Sequence, residues 1–287
     1  MKLETPLRYP GGKGELTDFV KMVYERNQLL DGHYAEPYAG GAEIALNLLT
    51  QGYASNIHLN DLNPGVFAFW HSVIHEPEAL CKAIRDVNVN RDEWFRQEAI
   101  LSSPSNHSLL EIGFAVFFLN RINRTTLLWQ EQADKVGSDT FRKLDPRFNK
   151  NDLIRRIEWI AMFRSGIHLT NLDTTEWIKT RLPLLPSNTL VYFDPPYYGS
   201  GTDDKPDYNP VDHKQLAMLI GEHLKDRYWI VSYNQSREIN ALYGGYPCLK
   251  YSIKYGKQGN HRSSEAMYLS NKLIIPAVND PVNLKAA

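Results

Sequence analysis

Short apolar runs alternate with segments of helical period along most of this chain. Residues 15–30 set Leu16, Phe19, Val20, Val23 and Tyr24 on one helical face. Residues 33–36 read as a short strand, 42–49 as a helix, and 57–60 as a second strand that ends at Asp61. Pro64 suits the first turn of the helix that follows, which runs through Phe67 and Trp70. Strand, helix and strand in that order predict a parallel sheet with right-handed crossovers. Residues 76–159 break the alternation: they are polar, helical in period and free of any strand pattern, with a loop at 102–106. Strands resume at 167–171, 190–193 and 228–232, a short helix is expected at 174–179, and late strands are expected near 249–255 and 265–269. The tail beyond Pro276 is expected to be loosely held. The expected organisation is one α/β domain made of residues 1–75 and 160–287, with 76–159 as a helical insertion.

The strand at 190–193, Leu-Val-Tyr-Phe, runs into Asp194-Pro195-Pro196-Tyr197. A carboxylate, a stiff proline pair and an aromatic ring thus stand at a strand's C-terminal end, the edge where open α/β sheets bind ligands. Asp194 and the carbonyl of Pro195 suit the two N–H bonds of an exocyclic amino group on a planar base, and Tyr197 suits stacking on that base. A Pro-rich turn with a capping Asp is the plainer reading of these four residues alone.

Three further motifs precede this one. Leu7-Arg8-Tyr9-Pro10-Gly11-Gly12-Lys13 opens the chain, Glu36-Pro37-Tyr38-Ala39-Gly40-Gly41-Ala42-Glu43 follows the first strand, and Asn60-Asp61-Leu62-Asn63-Pro64 follows the second. Taken in order with Asp194-Pro195-Pro196-Tyr197, the series resembles the Dam-like DNA adenine methyltransferases over roughly residues 5 to 270. The resemblance implies a Rossmann-like sheet dependent on S-adenosyl-L-methionine, with a helical DNA-recognition insertion. It implies that Lys13, the turn of Glu36, Pro37, Tyr38 and Gly40, and Asp61 bind the cofactor, and it places Asp173 near the cofactor's adenine. Lys13 would pair with the methionine carboxylate, Tyr9 would pack beside the cofactor, and Asp61 would accept bonds from the ribose hydroxyls. Asp61 and Asp173 each have a plainer reading as a helix cap.

The glycine motif is neither a dinucleotide GxGxxG nor a phosphate loop, as expected for a ligand without phosphate. Phe117 to Arg124 also resembles the family, except that Thr125-Thr126 stands where the family carries Asn-Gly. Arg121, Asn123 and Arg124 from that stretch, with Lys254, Lys257 and Arg262 from a late basic one, are the expected contacts to double-stranded DNA. Residues 255–264 read as a basic loop.

Charge changes this picture little. The net charge is −1 over 287 residues, so binding to a phosphate backbone has to come from local positive stretches. Hydrophobic content of 43% permits a sizeable core. Two cysteines give no disulfide framework and no zinc pattern, and nothing is long and apolar enough to span a bilayer. A cytoplasmic monomer is the default expectation, with a cognate restriction enzyme as a conceivable partner. Pro247-Cys248 resembles the nucleophile of cytosine C5 methyltransferases but comes in the wrong order, so Cys248 is read as a strand or core residue. Methylation of the N4 amino group of cytosine would use the same chemistry, although those relatives more often carry Ser in place of Asp194. RNA or protein-glutamine methylation and a catalytically silent DNA-binding protein are the remaining alternatives.

Overall fold

The computed structural model describes residues 3–9, 12–122, 148–198, 210–255, 261–278 and 280–284. Seven strands form a single sheet: β1 (Gly32–Glu36), β2 (Ala54–Asn60), β3 (Ile167–Thr170), β4 (Leu190–Phe193), β5 (Tyr228–Asn234), β6 (Cys248–Tyr255) and β7 (His261–Leu269). Their spatial order is β3-β2-β1-β4-β5-β7-β6. The first five run parallel, and β7 is antiparallel to both β5 and β6. The direction of strand addition reverses between β1 and β4. That pair is therefore the topological switch point, beside which open α/β sheets hold their ligands.

β4 shows why the sheet is sandwiched. Leu190 and Tyr192 enter one hydrophobic core, Val191 and Phe193 the other, and all four are buried. A strand apolar on both faces requires helices on both. The first core packs α1 (Thr17–Arg26), α2 (Glu43–Thr50) and α3 (Pro64–His75) on the sheet. The second packs α8 (Thr174–Thr180), α9 (Pro210–His223) and α10 (Arg237–Tyr243). α3 starts where the sequence indicates: Pro64 occupies the first turn, and the Asn63 side chain accepts from the Gly65 and Val66 amides.

Between β2 and β3 the described residues contain helices and no strand: α4 (Pro77–Asp86), α5 (Arg91–Ser102), α6 (Leu109–Ile122) and α7 (Lys150–Ala161). These helices pack on α3, with α5 reaching it through α6, and share the first core. Phe117 of α6 stacks on Phe69 of α3 with ring centroids 5.6 Å apart, and Phe148 packs edge-on against Phe117. Gly113 makes the α3–α6 crossing close, since a Cβ there would stand 2.5 Å from the Ala68 carbonyl oxygen.

Two expectations are corrected. The described part of the tail after Pro276 is held: Val278, Val282 and Leu284 pack on the first core, and Pro281 is buried. The ends of the expected 255–264 loop are strand, because the β6–β7 register continues to Tyr255 opposite His261; residues 256–260 lie outside the described residues. Among the described residues no helix is long and apolar enough to cross a membrane.

Candidate active site

The switch point brings two turns together. One follows β1 and the other follows β4, and the strands they leave are hydrogen-bonded neighbours, Tyr34 opposite Leu190 and Ala35 opposite Val191.

The turn after β1 is tightly bound. Gly40 has φ +46, a conformation that glycine adopts without strain, and its amide donates to Asp61 Oδ2 at 2.9 Å. Its carbonyl accepts from the Trp70 indole at 2.8 Å, and the Tyr9 ring lies against it so closely that a Cβ would meet that ring at 2.8 Å. Ala42, also left-handed at φ +50, starts α2. Lacking a capping side chain of its own, α2 borrows Glu36, whose Oε1 accepts from the Ala45 amide at 3.3 Å and from the Tyr34 hydroxyl at 3.0 Å. Burial pushes the Glu36 carboxyl up to about 8, against the pull of these two bonds. Asp61 accepts from the Asn63 amide at 2.9 Å as well as from Gly40, and burial raises it to about 6.

Asn60, which sequence reasoning passed over, joins three strand ends. Its side-chain amide donates to the Pro37 carbonyl at 3.1 Å and to the Leu172 carbonyl at 2.9 Å. Its oxygen accepts from the Leu172 amide at 3.0 Å and from the Thr170 hydroxyl at 2.8 Å. The Asn171 side chain adds bonds to the Asp61 and Leu62 carbonyls. Asp173, two residues on, is exposed and caps α8 through the Thr175 amide and hydroxyl. That is the plainer of its two readings.

The turn after β4 carries Asp194, with its side chain 26% exposed, then buried Pro195, exposed Pro196 and half-buried Tyr197. The Asn234 side chain clamps the end of the turn, accepting from the Tyr198 amide at 3.1 Å and donating to its carbonyl at 3.2 Å. Lys13 stands with the second turn: its buried Nζ lies 3.3 Å from Asp194 Oδ1, 3.1 Å from Glu265 Oε2 and 3.0 Å from the Tyr197 hydroxyl. Burial lifts the Asp194 carboxyl to about 6, Lys13 pulls it down, and Glu265 pushes it up.

Glu265, on β7 and fully buried, was not foreseen as a site residue. It also accepts from the Tyr197 hydroxyl, and from the Tyr251 hydroxyl at 2.9 Å. The network runs on through Ser232 to the Tyr192 hydroxyl. The one sequence signal for Glu265 was an acid at the head of the apolar run 266–269.

Arg121 is corrected as a DNA contact. It is buried, with Nε donating to the Pro6 carbonyl at 2.7 Å and Nη2 to the Thr5 carbonyl at 3.3 Å, so its charge holds the amino-terminal segment. Asn123, Arg124 and Lys257 lie outside the described residues. Lys254 and Arg262 occupy paired positions on β6 and β7. Cys248 opens β6 and is exposed. Among the described residues no cluster of metal-binding side chains occurs.

The model of the family described as D12 class N6 adenine-specific DNA methyltransferase matches residues 9–258. No curated protein sequence matches the chain. Among solved structures it is similar to the rRNA methyltransferase aviRa from Streptomyces viridochromogenes. That match has 16% identity over 92% of this chain and 87% of that one, with a TM-score of 0.40. It is also similar to M. capricolum TrmK in complex with S-adenosyl-homocysteine, at 8% identity over 88% and 69% of the two chains, with a TM-score of 0.36. Likenesses this distant assign nothing to the chain.

Proposed function

Because the chain belongs to the D12 class of N6 adenine-specific DNA methyltransferases, we propose that its two neighbouring turns divide the reaction between them, the first holding S-adenosylmethionine and the second the target adenine. Membership also decides the acceptor that the sequence left open: the enzyme methylates the N6 amino group of adenine in DNA, with S-adenosylmethionine as donor. The observation that carries the division of labour is the β1–β4 pairing, which sets the glycine turn beside Asp194.

The residues of the first turn fit the cofactor. Each Asp61 oxygen accepts one backbone amide, which leaves lone pairs for a pair of ribose hydroxyls. Leu62 beside it is 63% exposed and offers an apolar surface to a planar ring. Gly40, pressed against Tyr9, leaves no side chain in the ligand's way. The bound cofactor supplies an electrophilic methyl on a sulfonium.

Asp194 does the rest from the second turn. The amino nitrogen of adenine is a poor nucleophile because its lone pair is delocalised into the ring. Accepting its N–H bonds at Asp194 and the Pro195 carbonyl draws that pair out of conjugation and aims it along the line of attack. Positive charge that grows on N6 during transfer would be stabilised by Asp194 more in the transition state than in the ground state. The product sheds one amino proton, which the Asp194 carboxylate would accept. Taking adenine out of the duplex costs a few kcal/mol, and stacking on Tyr197 offsets roughly 1–3 kcal/mol of that. The helices between β2 and β3 interrupt the strand–helix alternation and are the candidate surface for the duplex. The paired cations Lys254 and Arg262 suit its phosphates.

Two variants test the division. Asp194→Ala should lose about 10²–10³ in turnover, the cost of a comparable electrostatic contact, and keep its cofactor dissociation constant. Asp61→Ala should raise that constant. Turnover that survives in Asp194→Ala defeats the catalytic assignment, and an unchanged constant in Asp61→Ala returns Asp61 to a purely structural clamp.

A further inference from the structure

The search for further chemistry leads back to the buried cluster behind Asp194. Lys13 is shared. Its ammonium has Asp194 on one side at 3.3 Å and Glu265 on the other at 3.1 Å. Glu265 is fully buried, and a desolvated carboxylate persists only where donors surround it. The donors around it include Lys13 Nζ, the Tyr251 hydroxyl, and the Tyr197 hydroxyl from the catalytic turn itself. Two carboxylates around one ammonium leave the cluster with an excess negative charge, beside a nitrogen that becomes positive during methyl transfer.

We propose that Glu265 is a positioning residue for methyl transfer, which shares Lys13 with Asp194 and so keeps the Asp194 carboxylate a strong acceptor aimed at the target amino group. The inference rests on the reading of Asp194 as the residue that accepts the adenine amino group. With Glu265 in place, Lys13 is divided between two acids. Without it, Lys13 is drawn more tightly to Asp194. A carboxylate held more tightly by an ammonium has less electron density to offer an N–H donor. Glu265 also ties the Tyr197 hydroxyl to β7, so the ring expected to stack on the base and the carboxylate expected to hold it are set by one side chain.

The groups facing Asp194 from the packed elements are Lys13, Tyr192 and Tyr197, with Glu265 on β7 and Glu36 on β1. Behind them, Tyr251 on β6 and Ser232 on β5 complete the chain of hydroxyls. Burial raises Tyr192 and Tyr251 well above their usual range, so both stay neutral through the working pH. Saturating the enzyme with cofactor at every pH removes the titration of Asp61 from the measurement.

The test is the single-turnover rate of methyl transfer across pH, with full-length protein, saturating S-adenosylmethionine and mixed-sequence duplex DNA free of N6-methyladenine. Activity requires Asp194 ionised, so its titration sets the acid limb. Glu265→Gln keeps the shape and removes the charge. It is expected to bind cofactor within about twofold of wild type, to lose about tenfold or more in the plateau rate, and to shift the acid limb about half a unit or more toward lower pH. Loss of a neighbouring negative charge makes Asp194 more acidic, whereas a purely structural defect lowers the rate and leaves the limb in place. Should Glu265→Gln fail to bind cofactor, Glu265→Asp withdraws the charge by one methylene, and the limb is expected to move the same way by less. An unaltered plateau rate, or a limb that stays put or moves to higher pH, overturns the proposal. Asp194→Ala run in parallel separates the two failures. If it is active, the reading of Asp194 falls; if it is inactive while the Glu265 variants keep the wild-type limb, only the role of Glu265 falls.

Discussion

Glu36→Gln isolates the energetic consequence of burying an acid at the switch point. Glutamine keeps an oxygen to accept from Tyr34 and from the Ala45 amide, so the cap on α2 survives and only the titration is removed. The folded carboxyl titrates at about 8 against an ordinary 4.5. The folded state therefore holds a proton that the unfolded chain has already released. Stability is whole below the unfolded value and falls as pH rises toward the folded one. At ~1.4 kcal/mol per pKa unit the full cost is ~5 kcal/mol, of which roughly 2.5 kcal/mol is lost between about pH 6 and about pH 8.5. Asp61 and Asp194, raised to about 6, are about half ionised where that window opens and are present in both proteins. Every other group is common to both proteins and cancels in the difference. Urea unfolding followed by tryptophan fluorescence at the two pH values, with coincident probes as the two-state check, measures it. Wild type should lose about 1–2.5 kcal/mol more than Glu36→Gln across the window, the lower figure allowing for water penetration and a compact denatured state. Equal pH slopes for the two proteins would refute the reasoning, since they would mean that Glu36 is ionised in the folded state throughout.

Other perturbations probe the frame around the site. Asn60→Ala removes four hydrogen bonds at the ends of β1, β2 and β3 and should cost about 2–4 kcal/mol of stability. It should also weaken cofactor binding, and equilibrium unfolding with a cofactor titration checks both. Gly113→Ala drives a methyl into the Ala68 carbonyl and should destabilise by about 1–3 kcal/mol, visible as a lower thermal midpoint. Arg121→Met frees the carbonyls of Thr5 and Pro6 and should lower stability by about 2–4 kcal/mol while the salt dependence of DNA binding stays unchanged; a reduced salt slope would return Arg121 to the DNA surface.

The strands and the two turns were legible in the sequence because their signals are local. Leu190–Phe193 is apolar at every position and is stopped by Asp194 and a proline pair, so it is a buried strand wherever it lies in the sheet. Asn63-Pro64 states a helix start in two residues. Glycine at 40 announces a turn that a side chain would obstruct. The motif order was enough to suggest the family before any coordinates. The partners of each charge were not legible, because they are set by strand order. Lys13 and Tyr197 meet across 184 residues of sequence. Their contact with Glu265 exists because β7 inserts antiparallel between β5 and β6. Lys13 looked like a cofactor ligand from its neighbours in sequence, and its neighbours in space are Asp194 and Glu265. Arg121 looked like a phosphate contact from its basic stretch, and helix packing turned it inward to the amino-terminal carbonyls. A sequence specifies which groups can ionise and which backbone they sit on. Only the folded sheet decides which of them lose water, and which opposite charges they find when they do.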